Sequence, residues 1–309
     1  MKTIRIGTRA SQLAQWQAYW CANQLKKQDI PVEVVLITTS GDHPDSWNQP
    51  LRSTQGIFTR EIQQALLEDR IDLAVHSLKD LPTDAVPGLA LSAVPERGPV
   101  EDVLVAGVSF RGTVRSLDDI PDGTILGTSS LRRKAQLLAF AKAQAKLWEI
   151  RSVRGNLNTR LKKCDDREYD ILVLARAGLE RLGLEGRITA VLPPYQMYPA
   201  VGQGALGLET RSDDKETISI LRTYLNHPAT EWAVTAERAM LKALDGGCVT
   251  PIACWSRGTG LHGRVIAVDG REVLDEELSG DDPRQLGEQV AERLIQEGAD
   301  KLIQEARMA

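Results

Sequence analysis

Short apolar runs alternate along the chain with stretches in which apolar residues recur every three or four positions. The runs predict β-strands, and spacings such as that of Leu13, Trp16 and Trp20 predict amphipathic helices between them. The run at 171–175 is apolar throughout, which is typical of a strand in a mainly parallel sheet covered by helices on both faces. The pattern therefore predicts an α/β fold. The predicted strands lie at 4–6, 32–37, 73–75, 89–94, 103–105, 125–126, 147–150 and 171–175.

Proline and glycine interrupt this alternation at 95–99 and at 193–204, which marks candidate domain boundaries. A chain of 309 residues is long enough for two or three domains, each with its own core. After residue 217 the pattern changes to a helix, short strands around an Asp269-Gly270 turn and a last helix at 283–297. This last part predicts a small α+β domain.

The composition is that of an ordinary globular protein, with 42% apolar residues, 26% charged residues and a net charge of −4. The acidic balance argues against non-specific binding of nucleic acid, so any anion site must be local. The sequence has no apolar signal-peptide region and no run long enough to span a membrane, which favours the cytoplasm. Four cysteines without paired spacing and four scattered histidines predict reduced thiols and no metal site.

The segment 127–133, Gly-Thr-Ser-Ser-Leu-Arg-Arg, follows a predicted strand and precedes a good helix former. The hydroxyls of 128–130 are candidate N-caps, and Arg132 and Arg133 add cations to the positive end of the helix. This arrangement favours a carboxylate or phosphate site. The alternative is an exposed N-cap with two solvated arginines.

The first residues of the chain repeat this arrangement. Gly-Thr-Arg-Ala-Ser at 7–11 follows the first predicted strand and brings Arg9 and Ser11 to the start of the first helix. Two such turns suggest two related halves that face one anionic ligand.

Three further segments carry reactive side chains. A strand runs into a turn with His76, Ser77, Lys79 and Asp80, although a solvated turn above a packed His76 is an equally simple interpretation. The segment 151–160, with Arg154, Gly155 and Arg160, and the later Arg181 form either a ligand site or a basic surface. In 244–252, two glycines precede Cys248 and favour an exposed sulfur, although a free cysteine is more often a small buried hydrophobe. For Cys21, Cys164 and Cys254 we expect the buried state.

Six segments occur in order over most of the chain, at 8–11, 75–80, 127–133, 154–156, 199–205 and 246–248. Together they resemble the porphobilinogen deaminase family, also called hydroxymethylbilane synthases. The resemblance implies a transferase of tetrapyrrole synthesis that joins four porphobilinogen molecules head to tail, releases ammonia and yields hydroxymethylbilane. It implies a dipyrromethane cofactor as primer, attached through a thioether to Cys248.

The resemblance also implies three domains, of which the first two are like periplasmic binding proteins with mainly parallel sheets. Domain 1 would comprise 1–98 and 199–218 and carry the catalytic aspartate and a lid loop. Domain 2 would comprise 99–198 and bind carboxylates through arginines. Domain 3 would comprise 219–309 and carry the cofactor cysteine. We expect a cytoplasmic monomer that binds porphobilinogen, without a nucleic-acid or membrane partner.

By motif position, Asp80 is implied as the catalytic carboxylate, which stabilises the cation left when ammonia departs. Ser77, Phe58 and Gln203 are implied as further residues of the cleft. Each pyrrole carries an acetate and a propionate, so the growing chain requires many cations. The residues implied to bind carboxylates of cofactor and substrate are Arg9, Ser11, Lys79, Thr128, Ser129, Ser130, Arg132, Arg133, Arg154, Gly155, Arg160 and Arg181.

The chain departs from the family pattern in the lid. Many relatives have Gly-Gly-Lys-Gly before the lid phenylalanine, whereas this chain has Ser-Thr-Gln-Gly-Ile-Phe at 53–58. Gln55 therefore replaces a lysine, and Arg52 or Arg60 would have to bind in its place. The polar loop at 41–50 is predicted to be mobile. Arg176 is an additional cation whose role the sequence leaves open.

Two other functions compete with the enzyme. A non-catalytic two-domain binding protein for anionic small molecules would have the same pair of anion-binding turns. It would not need the additional C-terminal domain or the Gly-Gly-Cys loop, and it would be expected to carry an export signal. The effector domain of a transcription regulator is a third possibility, but the sequence lacks a helix-turn-helix segment.

Overall fold

The structure is a computed structural model that describes residues 2–38, 59–247 and 250–308. The predicted loop at 41–50, the lid segment 53–58 with Gln55 and Phe58, and also Arg52 and Cys248, lie outside the described residues.

The described residues form strands and helices that alternate along most of the chain. The strands are β1 (Ile4–Thr8), β2 (Val32–Leu36), β3 (Leu73–Ser77), β4 (Leu89–Ala93), β5 (Asp102–Ala106), β6 (Ile125–Gly127), β7 (Glu149–Arg151), β8 (Ile171–Ala175), β9 (Ala190–Leu192), β10 (Leu206–Arg211), β11 (Ile252–Arg257), β12 (Gly260–Ile266) and β13 (Val273–Ser279). The helices are α1 (Gln12–Lys26), α2 (Arg60–Leu67), α3 (Leu131–Ala143), α4 (Leu157–Asp165), α5 (Arg176–Arg181), α6 (Lys215–Tyr224), α7 (Pro228–Ala243), α8 (Pro283–Gln296) and α9 (Ala299–Met308).

The chain divides into two compact units. The first comprises Met1–Gly98 and Gly204–Val234, and the second comprises Pro99–Gln203 and Thr235–Ala309. The first unit contains a five-stranded sheet of order β2-β1-β3-β10-β4, in which β10 is antiparallel to β3 and β4. The second contains a five-stranded sheet of order β7-β6-β8-β5-β9, in which β5 is antiparallel to β8 and β9. The division into three domains stays a prediction.

The two five-stranded sheets share one arrangement. In each, one strand runs against the direction of the others, and the remaining strands are parallel to one another. The units β1-α1-β2 and β6-α3-β7 occupy the same positions in the two sheets. The α/β fold with mainly parallel sheets is therefore confirmed.

Helices and loops cover both faces of the second sheet. Leu104 and Val173 belong to one buried apolar cluster, whereas Val103 and Leu172 belong to another. Because successive side chains of a strand point to opposite faces, these clusters lie on the two sides of the sheet. This explains why the run at 171–175 is apolar at every position.

The C-terminal part of the second unit is the small α+β region that the sequence predicts. Strands β11, β12 and β13 form an antiparallel sheet, and α8 packs on β12 and β13. All the strands predicted up to residue 175 are present, with ends within two residues of the prediction. The sequence missed β9, which has three residues, and β10, which contains the polar Glu209 and Thr210. These two buried positions hold polar residues, so β10 lacks the apolar run of its neighbours.

Candidate functional site

In both units, polar segments follow the carboxyl ends of parallel strands, which is where open α/β sheets bind ligands. In the first unit, the segments after β1 and β3 line a recess. The recess brings together four residues that were predicted for the site, namely Arg9, Ser11, Ser77 and Asp80. Arg9, Ser11 and Ser77 are partly buried, whereas Asp80 is exposed.

Hydrogen bonds fix the positions of Ser11 and Ser77. Ser11 is the N-cap of α1, and its hydroxyl accepts a hydrogen bond from the Ala14 amide at 3.4 Å. The Gln17 amide group, also on α1, donates to the Ser77 hydroxyl at 2.7 Å. Helix α1 is thereby joined to the end of β3, where the turn with Asp80 begins.

Asp80 ends a 3-10 turn, Leu78–Asp80, that directly continues β3. Leu78 and Leu81 are buried on either side of it, and the Leu78 amide donates to the Ala205 carbonyl at 3.0 Å. The turn therefore presents an exposed carboxylate from a backbone that is anchored in the core. Lys79, on the same turn, is partly buried.

His76 lines the same recess but is buried beneath the turn. Its Nε2 lies 3.0 Å from Oε2 of Glu209, and the Gln63 amide group donates to Oε1 of Glu209 at 3.0 Å. The packed His76 of the alternative interpretation is thus present, together with the exposed Asp80 of the functional one. Glu209 and Gln63 were not predicted from the sequence, because Glu209 lies 133 residues from His76 and 146 residues from Gln63.

In the second unit, the turn between β6 and α3 has the predicted N-cap geometry. The Ser130 hydroxyl accepts from the Arg133 amide at 3.4 Å, and the Thr128 hydroxyl accepts from the Ser130 amide at 3.2 Å. A hydroxyl that accepts keeps its own hydrogen for another acceptor. The Ser129 hydroxyl donates to the Val153 carbonyl, which joins this turn to the segment that carries Arg154.

Arg132 and Arg133 are buried, with only 4% and 7% of their surface exposed, so the alternative of two solvated arginines is wrong. Both donate through Nη2 to Asp102, at 2.7 Å from Arg132 and 2.8 Å from Arg133. Burial alone would raise the pKa of Asp102, but the two guanidinium charges outweigh it and hold that pKa well below its ordinary value. Asp102 remains ionised and cancels one of the two positive charges.

Sequence reasoning missed Asp102. The signal was present, since Asp102 is an acid at the start of an apolar strand, and a buried carboxylate requires cationic or hydrogen-bonding partners. Gln203, predicted as a residue of the cleft, is fully buried and donates to Asp102 at 2.8 Å.

The basic segment after β7 is built around the start of α4. Asn156 caps this helix through its side-chain oxygen, which accepts from the Thr159 amide at 2.9 Å. Gly155 has φ +112°, and a Cβ there would lie 2.7 Å from the Thr159 methyl group. Arg160 Nε donates to the Gly155 carbonyl at 2.8 Å. Glycine is therefore required here for conformational reasons, whether or not a ligand approaches.

The remaining cations follow the neighbouring strands. Arg154 is partly buried in the segment after β7, and Arg181 ends α5, the helix that begins directly after β8. Arg176 starts the same helix and pairs with Glu180 at 2.7 Å and with Glu101 at 3.4 Å. These ion pairs hold the Arg176 side chain at the start of α5.

Gly247 and Thr250, on either side of the predicted cofactor cysteine, are joined by hydrogen bonds. The Gly247 amide donates to the Thr250 hydroxyl at 3.0 Å, and this hydroxyl donates to the Gly247 carbonyl at 2.7 Å. A Cβ at Gly246 would lie 2.5 Å from side-chain carbons of Ile252 and Leu241, so packing requires this glycine. Cys248 itself lies outside the described residues. Cys21, Cys164 and Cys254 are buried, as the sequence predicts.

Comparison with known proteins identifies the family. Residues 4–219 match the model "Porphobilinogen deaminase, dipyromethane cofactor binding domain", and residues 232–296 match "Porphobilinogen deaminase, C-terminal domain". The chain belongs to the porphobilinogen deaminase family.

Curated relatives match nearly the whole chain. The porphobilinogen deaminase of a Nostoc species is 43% identical over 310 residues, which cover 98% of this chain and 94% of the relative. That of Gloeobacter violaceus is 44% identical over 313 residues, with 98% and 93% covered. The similarity to these enzymes favours a porphobilinogen deaminase over a non-catalytic binding protein for anionic small molecules.

Among solved structures, a probable amino-acid ABC transporter extracellular-binding protein from Bacillus subtilis matches with a TM-score of 0.44 and 10% identity. The match covers 72% of this chain and 90% of that one. Within the described part of the chain, no helix is both long and apolar enough to cross a membrane.

Proposed function

We propose that this chain condenses four porphobilinogen molecules into hydroxymethylbilane on a dipyrromethane primer bound to Cys248. The observation that carries the proposal is the match of 4–219 and 232–296 to both domains of the family. It is supported by Arg9, Ser11, Ser77 and Asp80, which line one recess of the first unit. The division into three domains and the role of each site residue form part of this proposal.

Asp80 is the proposed catalytic group. When ammonia leaves the aminomethyl carbon of porphobilinogen, the electron pair of the pyrrole nitrogen stabilises the cation, and the pyrrole N–H becomes more acidic. The Asp80 carboxylate accepts a hydrogen bond from this N–H and stabilises the positive charge. Its exposure on an anchored turn suits a group that must reach each incoming ring. A carboxylate in such a role contributes about 10²- to 10⁴-fold in rate.

The cations of both units are proposed to bind acetate and propionate groups. Guanidinium groups suit carboxylates because their N–H donors form a planar fork. Arg9 and Ser11 would serve the recess that contains Asp80. Thr128, Ser129, Ser130, Arg132, Arg133, Arg154, Arg160 and Arg181 would serve the second unit.

The residues of the second unit fit the cofactor. Two buried guanidiniums share one carboxylate, and the buried Nε atoms of both arginines lack a hydrogen-bond partner among the described residues. Such donors favour an anionic group, and each pyrrole of a dipyrromethane carries two carboxylates. When bound, this cofactor supplies the pyrrole α-carbon to which the first substrate is joined.

Cys248 is the proposed thioether position by its place in the Gly-Gly-Cys motif of the family, and the burial of the three other cysteines supports the choice. Burial raises the pKa of Cys164 to about 11, so that thiol is a poor nucleophile at neutral pH. We further propose that the enzyme is a cytoplasmic monomer.

The test combines turnover with mass. Purified protein incubated with porphobilinogen should release ammonia and form hydroxymethylbilane, and its intact denatured mass should exceed that of the chain by two pyrrole units. Size-exclusion chromatography with light scattering tests the monomer. Binding of porphobilinogen without release of ammonia would instead support a binding protein.

A further inference from the structure

Asp102 has an unusual set of partners at the carboxyl-end edge of the second sheet. It is the first residue of β5 and lies between Ala175 of β8 and Leu192 of β9. Its side chain is fully buried, and Oδ2 accepts from Arg132 while Oδ1 accepts from Arg133 and Gln203. The carboxylate thus joins the start of α3 to the motif at 199–205.

Each guanidinium is held at two points. Nη2 of both arginines donates to Asp102, whereas Nη1 donates to a main-chain carbonyl, that of Tyr198 for Arg132 and that of Val173 for Arg133. Because a guanidinium is planar, two anchored nitrogens fix its orientation. The buried Nε atom of each has no hydrogen-bond partner in the part of the chain that the structure describes.

The charges of this cluster do not cancel. Arg132 and Arg133 contribute two positive charges and Asp102 one negative charge, which leaves one positive charge in a buried position. A buried net charge is unfavourable, so the cluster favours a ligand that brings one further negative charge. Without Asp102, two adjacent guanidiniums would repel each other and lose their common anchor.

We propose that Asp102 is a positioning residue for the cofactor. It fixes the orientation of Arg132 and Arg133. Its negative charge leaves one net positive charge on the cluster, which one ligand carboxylate neutralises. Asp102 itself does not contact the ligand. The proposal rests on the proposed function, in which these arginines bind the dipyrromethane.

A purely structural role is the competing explanation, and the chain contains a suitable comparison. Asp72 is also fully buried, and its carboxylate accepts hydrogen bonds from Lys2, Arg5 and Arg211. It lies just before β3, at the opposite end of that strand from Asp80. Asp72→Asn therefore breaks an ion cluster around another buried carboxylate, away from the proposed site.

The experiment compares Asp102→Asn with Asp72→Asn. Both variants should unfold at lower temperature than the wild type. Only Asp102→Asn should lose the cofactor, with covalent loading by intact mass reduced by about tenfold or more, since small displacements of binding groups have large effects. Equal loading of the two variants, or full loading of Asp102→Asn, would refute the positioning role.

Asp102→Glu provides a second test if the asparagine variant does not fold. It keeps the charge but moves the carboxylate by one methylene group. The apo form should take up cofactor from added porphobilinogen about tenfold more slowly than wild-type apo protein, at a similar melting temperature. Uptake at the wild-type rate would contradict the proposal.

A third readout separates this inference from the proposed function. In arginine-labelled protein, NMR resonances of the Nε–H groups of Arg132 and Arg133 should be sharp in the wild type and broadened in Asp102→Asn. Loss of order at these arginines supports positioning even if the wild type neither carries a pyrrole nor consumes porphobilinogen. A wild type that neither carries a pyrrole nor consumes porphobilinogen would refute the proposed function alone. Unchanged arginine resonances in Asp102→Asn would contradict the positioning role.

Discussion

At the scale of single residues, the acids of this protein divide by environment. Asp102 and Asp72 are buried among cations, and their charges are used within the fold. Asp80 is exposed on a turn in a recess that also contains Arg9. Only an acid in the second kind of environment can approach a substrate directly.

Replacing Asp80 with asparagine keeps the size of the side chain but removes its charge. Hydroxymethylbilane formation should fall by about 10²-fold or more, because the cation formed on loss of ammonia is no longer stabilised. The melting temperature should stay unchanged, since Asp80 is exposed. Asp84→Asn, at another exposed acid of the same loop, is the matched control and should retain activity. Turnover of Asp80→Asn within about fivefold of wild type would exclude Asp80 from the mechanism.

Cys248→Ser should give folded protein without a covalent pyrrole, because a hydroxyl does not replace the thiolate as a nucleophile at neutral pH. Cys164→Ser is the control, and it should keep the full mass excess because the Cys164 thiol is buried. The measurement is the intact denatured mass of both variants. A mass excess that persists in Cys248→Ser would move the attachment to another residue.

At the scale of elements, the N-terminal caps of α3 and α8 are expected to differ in how much they contribute to stability and to ligand binding. Ser130 caps α3 with a long bond of 3.4 Å to the Arg133 amide, whereas Asp282 caps α8 with a bond of 2.8 Å to the Gln285 amide. The shorter bond, made by a charged acceptor, should contribute more to stability.

Two cap variants test this difference. Asp282→Ala should lower the free energy of unfolding by about 1 kcal/mol and leave activity unchanged. Ser130→Ala should cost less stability but reduce cofactor loading or raise KM, since its hydroxyl hydrogen is available to a ligand. Urea unfolding and steady-state kinetics measure the two effects. Equal stability losses with unchanged kinetics would limit Ser130 to capping.

At the scale of the whole molecule, buried acids make stability depend on pH. Burial by itself raises the pKa of Asp72, but hydrogen bonds from Arg5 and Lys2 lower it well below its ordinary value. For an acid with a lowered pKa in the folded state, the contribution to stability is complete above the unfolded pKa of about 3.9. It is lost as the pH falls further toward the folded pKa.

The unfolding temperature of the wild type should therefore fall steeply below a pH of about 4. In Asp72→Asn the fall should be less steep, because one of the groups that must be protonated is absent. Thermal unfolding across pH 6 to about 3 gives both slopes. A parallel decline in the two proteins would show that Asp72 does not contribute to the pH dependence.

The sequence by itself predicted the eight strands up to residue 175, the N-cap of α3 within 128–130 and the candidate residues of the site. An apolar run such as 171–175, or the hydroxyl of Ser130 before a helix, acts through burial and hydrogen bonds to residues close in the chain. Such local requirements are visible in a sequence without its fold. The motifs with Asp80 and Arg132 were found for the same reason.

The tertiary structure decided how the charges of these residues are used. Arg132 and Arg133 are buried because Asp102, some 30 residues earlier in the chain, lies beneath them, and His76 is fixed by Glu209, 133 residues later. Strand β10 was missed because Glu209 and Thr210 are buried polar residues whose partners come from other elements. A buried polar group is stable only with partners that folding brings to it, and no local pattern in the sequence names those partners.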